Sequence, residues 1–186
     1  MKPFALFLAV LALTPAAAFA HAGHDAGTLL AGARHPVSGA DHILAMIAVG
    51  LWAARGEGRA HWSMPLAFVG AMVIGGAGGA EGLPFPAVEP MILASIVILG
   101  ALVATVARLP LKAALPLIAL FGAAHGWAHG AEGPSASLGA YALGFALVTA
   151  ALHGAGIALG RILGDLALRL VGGATAMAGL ALAVAG

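Results

Sequence analysis

Eight histidines stand in a chain of 186 residues that holds only 8 Lys plus Arg and 7 Asp plus Glu. Two tight groups carry most of the chemistry. The first is His35-Pro36-Val37-Ser38-Gly39-Ala40-Asp41-His42. Imidazole nitrogen and carboxylate oxygen are donors that Ni, Co, Zn and Fe ions accept. Asp41 can ligate directly, or it can orient a ligating histidine from behind. The plainer reading is helix capping. Ser38 is placed to cap a helix that begins here, which puts Asp41 at the third helical position, where the helix dipole favours an anion. The second group is His125-Gly126-Trp127-Ala128-His129. Four residues apart, His125 and His129 share one helix face, the spacing at which two imidazoles reach one ion. Imidazoles buried in an apolar span need a partner to justify their burial.

Single polar residues add to these groups. Glu89 precedes Pro90 at the start of an apolar segment, where Pro suits a helix start. Glu89 is either an oxygen ligand or a solvated acid, and Ser95 behind it offers a weak hydroxyl donor. His153 lies deeper in its own apolar segment. It is either a second station for an ion moving inward or a histidine bonded to a backbone carbonyl. His61 falls in a loop and reads as solvated. His21 and His24, with Asp25 nearby, form an amino-terminal pair able to collect a metal ion loosely.

The elements that must position these groups are membrane helices. Only 8% of the chain is charged, against roughly 25% for a soluble domain. The residues AVILMFWYC make up 62%, there are 28 glycines, and the mean hydropathy is +1.05. A soluble fold of this size has no room to hide so much apolar side chain, and disordered chains are polar. At the amino end, Lys2, an apolar run over Phe4–Leu13, Pro15 and Ala18-Phe19-Ala20 match a secretory signal peptide cleaved after Ala20. This gives a signal peptide at 1–20 and one membrane domain at 21–186.

Six apolar segments follow, at Gly39–Ala54, Trp62–Ala80, Ala87–Ala107, Ala113–His129, Ser137–Gly160 and Leu166–Ala185. A span needs about 20 residues, so the first and fourth must extend into their flanks or cross a thinned region. The expectation is an all-α, six-transmembrane-helix bundle. Starting outside after signal cleavage, Arg55, Arg59, Arg108, Lys112, Arg161 and Arg169 fall inside. Arg34, Glu81, Glu89 and Glu132 fall outside. That basic excess inside is the usual orientation signal. Both mature termini are then periplasmic, and His42, His125, His129 and Glu89 lie toward the same outer side. Glycines at Gly122, Gly126 and Gly130, and again at Gly156, Gly160 and Gly164, permit close helix packing in lipid.

Several function classes are excluded. No basic block exists for nucleic acid, and no glycine loop exists for nucleotide phosphates. No cysteine is present, so thiolate chemistry is closed. No nucleophile elbow and no His-Glu-x-x-His string occurs, so the chain does not read as an enzyme. A membrane haem protein is the main rival, since facing histidines can serve as axial ligands. A non-transporting metallochaperone or sensor is the other.

Taken together, His35-Pro36-x-x-Gly39-x-Asp41-His42, with Met46 and Gly50-Leu51-Trp52 after it, resembles the signature of the HupE/UreJ family. So do Val88-Glu89 with Ser95, and the string His125-Gly-x-Ala-His129-Gly-x-Glu132-x-Pro134. The likeness runs over essentially the whole mature chain. The family comprises hydrogenase and urease accessory proteins, regarded as nickel or cobalt permeases of the cytoplasmic membrane. The resemblance implies that His35, Asp41 and His42 receive the ion, with Glu89, His125 and His129 as partners. The chain is also similar to nickel/cobalt transporters with a His-x4-Asp-His motif, but departs from it in having five residues between His35 and Asp41.

The expected function is uptake of a divalent transition metal, nickel first and cobalt second. The ion is cargo, so no permanent cofactor is expected. Partners are membrane lipid, the ion, and cytoplasmic metallochaperones that take it over for metalloenzyme maturation. The potential across an energised membrane favours a cation moving inward by about 2.3 kcal/mol per charge per 100 mV, so facilitated diffusion suffices for uptake.

Overall fold

A computed structural model describes residues 28–56, 58–134 and 137–185. The expected signal peptide at 1–20, the amino-terminal His21, His24 and Asp25, and Gly186 lie outside the described residues. Within them the protein is helical: α1 (Leu29–Ser38), α2 (Ala40–Ala53), α3 (Ala60–Ala80), α4 (Val88–Ala104), α5 (Leu111–Glu132), α6 (Leu138–Ile162) and α7 (Asp165–Ala185). Large apolar side chains such as Leu66, Ile74, Ile162, Leu166 and Val184 are exposed, as lipid-facing helices require. Four helices, α3 and α5–α7, are long and apolar enough to cross a membrane. The pair α1–α2 meets the same test as one element bent by 85°, which makes a fifth. The chain is an all-α, multi-pass membrane protein.

The first apolar segment is therefore only half of what the chain builds there. Thr28 caps α1, its hydroxyl accepting from the Ala31 N–H at 3.0 Å. Ser38 does not cap the next helix, contrary to the sequence expectation. Its hydroxyl instead donates to the His35 carbonyl at 2.6 Å and closes α1. Gly39, in extended backbone, separates the two helices and is the N-cap of α2 without a side-chain bond. Asp41 is thus the second helical residue of α2, not the third. A Cβ at Gly39 would press on the Asp41 carboxylate and stand 3.1 Å from His42 Nδ1. The break is built so that both side chains fit at the start of α2.

Small residues set the packing. Along α5, a Cβ at Gly122, Gly126 or Gly130 would run into the backbone carbonyls of Phe68, Met72 and Gly76 on α3. Gly75 and Gly79 of α3 stand in the same relation to Ala123 and Trp127. The two helices therefore interlock backbone to backbone, the close approach that glycine at every fourth position permits in lipid. On α6, Gly156 gives the same access to the Ile47 carbonyl of α2. α2 lies in the middle, packed against α1, α3, α4, α6 and α7, and it meets α5 through His42. Its residues Ala45, Met46, Val49 and Ala53 are fully enclosed.

Loops hold the ends. Gly82, at φ +68°, reverses the chain after α3, and the Leu83 N–H donates to the Gly78 carbonyl at 2.9 Å. α4 stops at Ala104, before the expected Ala107, because Val106 turns left-handed at φ +51°. Arg55 donates to Asp165 at 2.6 Å and to the Leu163 carbonyl at 3.2 Å, tying the end of α2 to the start of α7. The Trp52 indole donates to the Ala107 carbonyl at 2.8 Å.

Candidate metal centre

Three helix ends meet at one point. α1 delivers His35 in its last turn, α2 delivers Asp41 and His42 in its first, and α5 delivers His129 in its last. One ring nitrogen from each of His35, His42 and His129 lies within 4.8 Å of the other two. His42 Nε2 stands 2.6 Å from His129 Nε2. The His35 ring lies 4.5 Å from that of His129 and 5.8 Å from that of His42. Phe145 of α6 lies 4.5 Å from His129 and forms an apolar wall. His42 is buried, while His35 and His129 are partly buried.

Hydrogen bonds define which nitrogens can ligate. Asp41 Oδ1 lies 3.0 Å from His42 Nδ1. A carboxylate accepts only, so Nδ1 carries the proton and Nε2 presents its lone pair to the cluster. This is the outer-shell arrangement that orients metal-bound histidines and raises their basicity. The 2.6 Å contact between the two Nε2 atoms then takes one proton, donated by His129. A cation sitting between them replaces that proton. Ligand nitrogens about 2.1 Å from an ion stand roughly 3–3.5 Å apart, so the two rings need to open by less than about 1 Å.

His125 lies one turn below His129, with its ring 5.2 Å from that of His42. It is fully enclosed, as is Ser95 of α4. The Ser95 hydroxyl is 2.6 Å from the Ile92 carbonyl, to which it donates, and 3.1 Å from His125 Nε2. With its one proton committed, Ser95 accepts from His125 Nε2–H. His125 Nδ1 is left buried without a hydrogen-bond partner. The weak hydroxyl expected at Ser95 thus acts on His125 rather than on an ion.

The structure brings together His35, Asp41, His42 and His129, with His125 directly below. Glu89 sits exposed in the first turn of α4, and among the described residues the cluster of metal-ligating groups comprises His35, His42 and His129 alone. His153 is apart from them on α6, buried, with its ring 5.1 Å from Phe68. Residues that sequence reasoning passed over also shape the region. Tyr141, Phe145 and Thr149 precede His153 at intervals of four on α6 and share its buried face. That spacing was a readable signal once His153 was in view.

The chain is similar to known proteins over nearly its whole length. The family model described as HupE / UreJ protein matches residues 8–185. Protein HupE of Rhizobium leguminosarum bv. viciae is 44% identical over 182 residues, covering 95% of each chain. No solved structure matches the chain. The clustered histidines lie within the matched span, and the chain belongs to the HupE/UreJ family.

Proposed function

We propose that this protein is a transition-metal cation permease of the cytoplasmic membrane that takes up nickel, with cobalt the second candidate. The observation that carries the reading is the convergence of His35, His42 and His129 within 4.8 Å, with Asp41 behind His42. Neutral imidazoles backed by a carboxylate suit a borderline divalent ion. The cluster sits where a broken helix pair meets the end of a span, and irregular backbone at membrane depth belongs where it lines a cavity or site. Counting α1–α2 as one crossing and the 17-residue α4 as another gives six. With a cleaved signal peptide over 1–20, the mature chain of 21–186 has both termini in the periplasm and the cluster toward the outer side.

His35, Asp41, His42 and His129 capture the ion, and Asp41 acts mainly by orienting His42. His125 Nδ1 receives the ion one turn deeper, and His153 is a later station. Glu89 lies at the mouth and draws cations toward it. Several weak sites in series allow an ion to bind and still leave, as conduction requires. The ion is cargo and passes to cytoplasmic metallochaperones. The reading involves no catalysis.

Three imidazoles converging on one point favour a small ion over haem, whose two axial ligands must face each other across a macrocycle. The test is ion inflow into proteoliposomes. Protein-dependent inflow of Ni or Co ions supports the reading. Stoichiometric binding without inflow favours a non-transporting metallochaperone or sensor. A stoichiometric Soret band that depends on His125 favours haem.

A further inference from the structure

We infer that Thr149 and His153 form a second, inner cation station, and that the Phe68 ring, packed against both His125 and His153, is the barrier an ion crosses to reach it. The inference rests on the permease reading for its direction of travel, and on separate observations for the site.

The first observation is two adjacent polar side chains with nothing to bond. His153 is 1% exposed, and neither ring nitrogen has a hydrogen-bond partner. Thr149 is fully enclosed, and its hydroxyl has none either. Buried polar atoms are nearly always satisfied, so each exception calls for a reason. The two residues stand one helical turn apart on the same buried face of α6.

The second observation is how other threonines in this protein behave. A threonine in a membrane helix ordinarily turns its hydroxyl back to the carbonyl four residues earlier. Thr105 does so to Ala101 at 2.8 Å, and Thr175 does so to Val171 at 2.9 Å. Thr149 lies mid-helix, as Thr175 does, and makes no such bond. Its oxygen remains free to face a ligand beside the imidazole.

The third observation is Phe68. Fully enclosed on α3, its ring lies 5.5 Å from His125 and 5.1 Å from His153, edge-on to the latter at 85°. Its backbone is held because Gly122 of α5 lets the Phe68 carbonyl seat against it. One hydrophobic ring thus packs against both buried histidines, His125 and His153. One imidazole nitrogen and one hydroxyl oxygen suit a borderline divalent cation that keeps part of its water. So small a donor set binds weakly, which favours release inward.

The experiment uses the full chain, purified and reconstituted, with Co2+ as the probe. Wild type is expected to take up one tight and one weaker equivalent of Co2+, read by visible absorption. His42→Ala should lose the tight equivalent and keep the weak one. His153→Gln and Thr149→Val should lose the weak equivalent, keep the tight one, and slow inflow by roughly tenfold or more. Phe68→Ala should keep both equivalents and speed inflow, and Phe68→Leu, which preserves more of the core, should do so to a smaller degree. A weak equivalent that survives in both His153→Gln and Thr149→Val overturns the inner station. Folded Phe68→Ala and Phe68→Leu with inflow at or below wild type overturn the barrier. If wild type binds both equivalents but carries no ion, the permease reading fails while the station stands.

Discussion

His42 and His129, 87 positions apart in the chain, present their Nε2 atoms to each other at 2.6 Å. The contact joins the start of a half-helix to the end of a full one. It exists because Gly39 breaks the chain between α1 and α2 and because glycines on α5 let that helix lie against α3. Asp41 fixes which nitrogen of His42 takes part.

Asp41→Asn separates orientation from shape. The amide keeps the size of the side chain and can still accept from His42 Nδ1, but the negative charge is gone. Loss of such an outer-shell carboxylate costs roughly tenfold to a hundredfold in metal affinity. Ni2+ titration of the purified protein should show that loss with the folded helix content unchanged. Wild-type affinity in Asp41→Asn would place Asp41 in a capping role only.

Acid should weaken ion capture. The proton shared by His42 and His129 occupies the place of the ion, and a ligating imidazole must be neutral. Lowering the pH strengthens the proton's competition for the ligand nitrogens, and affinity falls. Raising the pH should bring affinity to a plateau. Apparent Kd measured from pH 5 to 8 checks the sign. An affinity that rises in acid contradicts neutral imidazole ligation.

Helix spacing can be tested apart from metal. Gly126→Leu puts a side chain into the Met72 carbonyl and forces α3 and α5 apart. Overpacking of this kind costs about 1–3 kcal/mol or more. Gly70 has open space around it, so Gly70→Ala should change stability by less than about 0.5 kcal/mol. Thermal unfolding in detergent should lower the Tm of Gly126→Leu and leave that of Gly70→Ala near wild type.

Orientation follows from the loop charges. Reporter fusions at Gly58 and Lys112 should read cytoplasmic, and a fusion at Gly186 should read periplasmic. A cytoplasmic signal from Gly186 contradicts six crossings.

Much of this architecture was legible in the sequence. The apolar runs assigned to α3, α6 and α7 match the helices to within two residues at each end, because lipid leaves no other use for such runs. The four-residue spacing of His125 and His129 placed both on one face. What stayed hidden was tertiary. α1 reads as a polar loop, since Arg34, His35 and Pro36 interrupt it, and only the Thr28 cap and packing against α6 make it a helix. Ser38 had two possible helices to serve and serves the earlier one. Phe68 looks like any core aromatic until the fold sets it against two buried histidines.

The most direct test of the account is ion inflow through the His42–His129 cluster in proteoliposomes. Ni2+ inflow driven by an inside-negative potential should be clear in wild type. It should fall by at least roughly tenfold in His35→Ala, His42→Ala and His129→Ala, each of which removes one of three converging ligands. Folded variants that carry Ni2+ at wild-type rates would show that the histidines only hold the helices together, and the permease site would have to be sought elsewhere.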